Sequence, residues 1–140
     1  METINYHIRG TSPMMCHNEQ LANPFNSITQ QIKEISSKRK KTESDLLDMA
    51  RLEWLGGLYY TPEEGIHVPG WNIFAALIGG AKLSKLGTTL KRAATIVDNN
   101  VPIEYTGAKN PDELFKDKSF VDMRGVKIGT ARILRCRPIF

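Results

Sequence analysis

Thirteen cations fall in three groups whose chemistry would be the same. Lys38, Arg39, Lys40 and Lys41 follow one another without a break. Lys82, Lys85, Lys91 and Arg92 lie within residues 65–97, and Arg124, Lys127, Arg132, Arg135 and Arg137 crowd residues 124–140; neither stretch holds an Asp or Glu. Cations at this density can meet several phosphates of a nucleic acid at once and release the counterions condensed there. On a strand, Arg135 and Arg137 would share a face and could grip phosphates or stack on bases. The same residues have plainer uses: a solvated interhelix loop for the first group, and a charged edge strand protected against aggregation for the last. Trp54, Tyr59, Tyr60 and Trp71 could serve as base-stacking platforms, although aromatics beside apolar runs more often build a core.

Other chemistry finds little support. Cys16 and Cys136 are far apart and in no CxxC pattern, so they read as reduced thiols. His7, His17 and His67 are scattered, and the adjacency of Cys16 and His17 supplies neither a metal ligand set nor a nucleophile–base contact. Gly79 and Gly80 precede Lys82 without the order of a phosphate-binding loop, and no dinucleotide, zinc-protease or nucleophile-elbow motif occurs. These patterns argue for a binding protein with no cofactor and no metal, not an enzyme.

The elements that must position the cations are readable in outline. Residues 3–9 alternate Ile4, Tyr6 and Ile8 with polar neighbours, the period of a half-buried strand. Residues 14–16 read as a short buried extension. Asn23 followed by Pro24 suggests a helix start, with Phe25, Ile28, Ile32 and Ile35 at helical spacing up to Ser36 and Ser37. Thr42 and Asp45 form a capping box for a second helix, which Gly56 and Gly57 should end by taking positive φ. Residues 58–60 and 66–68 read as a hairpin. Residues 71–85 are apolar almost all round, which predicts the most buried helix. Residues 95–97 and 101–105 read as strands, the second an edge because of Pro102. Asn110 and Pro111 start a short helix, and one bent strand or two short ones follow from Val121.

At 140 residues, a net charge of +4 and 41% hydrophobic residues, the chain fits one domain spanning residues 1–140. No apolar run reaches membrane-spanning length, and no signal pattern opens the chain, so a cytoplasmic protein is expected. The fold class is α+β, with an antiparallel or mixed sheet and about three main helices packed on one face.

Residues 10–18 (GTSPMMCHN), 37–42 (SKRKKT), 52–59 (LEWLGGLY), 68–73 (VPGWNI) and 135–140 (RCRPIF) together resemble a widespread family of small bacteriophage and prophage proteins. Members of that family continue past the last segment with a strand, a helix and a Gly/Arg-rich end. That tail resembles half of a ferredoxin-like unit of the RNA-binding RAMP proteins, such as the backbone subunits of CRISPR effector complexes. The resemblance implies an incomplete ferredoxin-like unit here, with another copy or a partner completing the sheet. It also implies a phage or mobile-element protein in the host-cell cytoplasm. Single-stranded DNA or RNA is the expected ligand of the basic face. The alternative is an anti-CRISPR-like inhibitor that binds a host defence nucleoprotein complex, and a virion assembly part is a third reading.

Overall fold

The computed structural model describes residues 2–140. Its longest helix begins as the capping box requires: the Thr42 hydroxyl accepts from the Asp45 amide at 3.2 Å, and the Asp45 carboxylate accepts from the Thr42 amide at 2.9 Å. This helix, α2 (Glu43–Gly57), is preceded by α1 (Ser27–Ser37). Asn26, not Asn23, caps α1, because its side-chain oxygen reaches the amides of both Ile28 and Thr29. Asn23 instead accepts from the Phe25 amide in the preceding turn.

Gly56 and Gly57 stay helical, so their role is not the positive φ expected of them. Among the described residues only Gly65 and Gly129, of the glycines, have positive φ. The two helical glycines allow close approach instead. A Cβ on Gly56 would collide with the Leu21 side chain, and one on Gly57 would stand 2.9 Å from Pro138 Cδ.

The chain then forms β1 (Tyr60–Thr61) and β2 (Gly65–Pro69), paired Tyr60 to Ile66. Two helices follow, α3 (Gly70–Leu83) and α4 (Gly87–Ala93), and then β3 (Asn100–Pro102) pairs antiparallel with β2 and puts Pro102 on an edge strand. Residues 95–97 join no ladder, because Ile96 and Asp98 pack against Gly70 at the start of α3. Asn110 caps the short α5 (Pro111–Leu114). The last elements, β4 (Val121–Ile128) and β5 (Ala131–Pro138), form a hairpin in register from Val121–Pro138 to Ile128–Ala131. Residues 14–16 lie antiparallel beside its end: Met14 and Phe140 exchange backbone hydrogen bonds, and Cys16 donates to the Pro138 carbonyl at 2.9 Å.

The class is thus α+β with antiparallel pairing. The strands divide into two sheets, β1-β2-β3 and β4-β5, so no single sheet exists for three helices to cover. Two further expectations are corrected. Residues 3–9 form no strand, and Ile4, Tyr6 and Ile8 are 62%, 78% and 63% exposed, because no edge in the same chain meets them. Helix α3 is not the most buried: of its residues only Gly70 is buried, and Trp71, Leu77 and Leu83 face outward.

The core gathers instead around the second half of α2. Trp54, Leu58, Ile66, Leu114 and Cys136 form its centre. Trp54 donates its indole N–H to the Phe120 carbonyl at 2.8 Å, and Tyr105, Phe120 and Phe140 pack with ring centroids 5.3–5.7 Å apart. Cys16 and Cys136 are buried free thiols, each pushed up to about 11 by burial.

One carboxylate ties the helix to the hairpin. Glu53 is 5% exposed; one of its oxygens accepts from the Cys136 amide at 3.0 Å and the other from the Arg135 guanidinium. Removing one partner of a buried ion pair strands the other charge, which costs about 3–5 kcal/mol, whereas replacing both with apolar groups costs far less. Urea unfolding should therefore show Arg135→Leu, which strands the buried Glu53, much less stable than the double variant Glu53→Leu/Arg135→Leu.

Candidate nucleic-acid interface

The three basic groups meet different fates. Lys38 ends α1, and its ammonium sits 2.5 Å from Asp45. That contact, followed by the Thr42 amide, pulls the Asp45 carboxyl down to about 2. Lys41 donates to the Lys38 carbonyl at 3.0 Å. Arg39 and Lys40 are exposed. The linker joins the N-terminal end of α2, while Glu53, eleven residues on from Thr42, holds Arg135. At 1.5 Å per residue the two points are about 16 Å apart along the helix. Asp45 and Asp48 lie on the helix between them.

On the hairpin, strand alternation places Arg124, Arg135 and Arg137 on one face, with Arg124 opposite Arg135 and Asp122 opposite Arg137. Arg132 falls on the other face, beside Lys127. Arg135 is committed to Glu53, and Arg124 lies 3.0 Å from Asp122. The first face therefore sets three cations against two carboxylates. Asp122 Oδ2, although close to Arg124, is buried and has no aligned hydrogen-bond partner. Arg137 differs from its neighbours, because its guanidinium donates to Nδ1 of His17.

His17 borders a cleft of about 380 Å³ between residues 14–17 and α3, lined also by Met14, Met15, Tyr59, Asn72 and Ala76. Its walls are mostly apolar, and its polar groups are linked. The Tyr59 hydroxyl donates to the His17 carbonyl at 3.0 Å, and the Asn72 amide lies 3.5 Å from that hydroxyl. Burial, then the charges of Arg137 and Arg135, push the His17 imidazole below its usual range. It is therefore poised as a neutral acceptor that orients Arg137 beside the cleft.

Helix α3 continues from this cleft to the third group. Lys82 lies six residues beyond Ala76, about 9 Å along the axis. Lys85, with φ +60, turns the chain into α4, whose last turn carries Lys91 and Arg92. Gly87 permits the tight corner, since a Cβ there would meet Lys82 Cγ at 2.6 Å. Among the described residues none of these four cations enters an ion pair. Trp71, 61% exposed, stands at the other end of α3. The aromatics singled out by sequence thus divide: Trp54 is core, and Trp71 is a surface ring.

The sequence pointed to the corner through its missing carboxylates, and to Arg137 only as one more arginine. The cleft was not legible, because it is built from residues some 60 positions apart. Among the described residues no helix is long and apolar enough to cross a membrane, and no group of His, Cys, Asp and Glu could hold a metal ion. Comparison with protein-family models, with curated proteins and with solved structures finds no match.

The depressed His17 has a fixed sign in solution. The unfolded imidazole takes its proton near 6.5, and the folded one only at lower pH. Stability contributed by the neutral ring is therefore complete above pH 6.5 and declines as pH falls below it. In an NMR titration, Arg137→Gln should move the His17 transition upward, toward 6.5, recovering the part due to the Arg137 charge and leaving the parts due to burial and to Arg135.

Proposed function

We propose that the chain is a non-enzymatic protein that binds single-stranded nucleic acid along α3, from the Arg137 cleft to the α3–α4 corner. The observation that supports this reading is the set of four cations, Lys82 near the end of α3, Lys85 in the turn after it, and Lys91 and Arg92 in the last turn of α4, with no carboxylate paired to them among the described residues. Phosphates would meet this corner and Arg137. Trp71 offers an exposed ring for stacking, and the cleft beside Tyr59 can take an unstacked base. The wider set expected from sequence contracts accordingly. Lys38, Arg124 and Arg135 already hold carboxylates, and Lys127 and Arg132 lie at the far end of the hairpin. The resemblance to phage proteins supports a host-cell cytoplasmic setting for this activity.

A second reading, an anti-defence inhibitor that binds a host nucleoprotein complex, draws on the apolar residues of the same helix. Leu77 and Leu83 are exposed toward the basic end of α3 and Trp71 at its other end, a mixture suited to a protein surface that itself handles nucleic acid.

Titration of a fluorescent oligothymidylate at rising salt decides between them. Each phosphate contact on a single strand contributes about −0.7 to the slope of log affinity against log salt. Replacing Lys82, Lys85, Lys91 and Arg92 with Gln should therefore flatten the slope by about 3 units. The control Arg39→Gln/Lys40→Gln should leave it unchanged, and Trp71→Ala should weaken binding by about 1–3 kcal/mol. No binding at low salt ends the first reading.

A further inference from the structure

The chain holds a strand-patterned segment without a sheet and a sheet edge without a strand. Residues 3–9 have the alternation of a half-buried strand, yet Ile4, Tyr6 and Ile8 lie exposed. Their one ion pair among the described residues is an exposed 3.8 Å contact from His7 to Glu104. Strand β4 pairs only with β5 among the described residues, so its outer edge offers a row of free backbone donors and acceptors. The exposed area agrees with a missing contact. The surface is 10616 Å², whereas a compact monomer of 15.8 kDa exposes about 7,300 Å². The excess, about 3,300 Å², exceeds the roughly 800 Å² per partner of a standard interface.

We propose that residues 3–9 of one copy add antiparallel to the outer edge of β4 in a second copy. The arm cannot reach that edge in its own chain without reversing. Met14 and Cys16 pair with Phe140 and Pro138, so the chain before them runs past Phe140, away from the hairpin turn and on the β5 side. One register satisfies both strands. With Arg9 opposite Asp122, Tyr6 falls opposite Gly125, where a Cβ would meet open space, and an aromatic ring covers an edge glycine. Ile8 then meets the exposed Met123, on the face that carries Leu134. Thr3, Asn5 and His7 fall opposite Ile128, Val126 and Arg124. Arg9 faces Asp122, whose side chain is partly exposed beside Arg124 and carries the opposite charge. A shift of two residues toward the hairpin turn would set Arg9 against Arg124, like charges facing each other. Each copy donates one arm and accepts one, so two exchanged arms give the smallest closed assembly.

Sedimentation equilibrium of the nucleic-acid-free full chain, over a range of concentrations, tests this independently of the proposed ligand. The expected mass is a multiple of 15.8 kDa, falling to the monomer when residues 2–9 are removed, with the far-ultraviolet circular dichroism of the core retained. Arg9→Asp should weaken association about fivefold. Tyr6→Ser, remote from the core, should weaken it without touching Asp122. A monomer at every concentration, an assembly that survives removal of the arm, or a Tyr6→Ser variant that associates unchanged overturns the proposal.

Discussion

A buried carboxylate decides how this molecule is assembled. Glu53 could not remain charged in the core without donors, and it finds them in the Cys136 amide and the Arg135 guanidinium. Because a buried charge tolerates little misplacement, the pair fixes the height of α2 along β5. Residues at the same junction complete the contact. Gly57 lets the helix meet Pro138, and Gly56 admits Leu21. Residues 14–16 then extend the pairing beyond β5, so this early segment and residues 138–140 are joined beside the hairpin.

That junction also positions the candidate interface. Holding β5 against α2 sets Arg137 next to His17, and closing residues 14–16 onto β5 builds the wall that faces α3. The cleft is therefore a by-product of core assembly. The α3–α4 corner needs less from the rest of the chain, since Gly87 and the left-handed Lys85 form it locally. Rigid core on one side and local turn on the other leave α3 as the bridge, apolar on its surface and basic at its end.

Much of this was legible where a signal is local. The Thr42–Asp45 capping box, the Asn110–Pro111 helix start and the hairpin around Gly65 depend on neighbours in sequence, whereas residues from Val121 read as one bent strand or two short ones and form two. The failures share a cause. Hydrophobic periodicity states that a residue should be covered and not by what, so residues 3–9 read as half-buried and α3 as the most buried helix, although the former lie exposed and the latter is only partly covered. Helix α2 does stop at Gly57, but the positive φ expected at Gly56 and Gly57 is absent, because their close approach to another segment is not visible in a linear pattern. Arg135 looked like a ligand-binding cation, and its partner Glu53 lies 82 residues away.

The central claim is that function lies along α3 and not on the interhelix linker that holds the densest run of positive charge. Amide and indole chemical shifts, recorded while an oligothymidylate is added to the isotope-labelled chain, test it residue by residue. The account predicts changes at the Trp71 indole, Tyr59, Asn72 and residues 82–92, with Arg39 and Lys40 unmoved. Changes confined to the linker, or no changes at low salt, would contradict it.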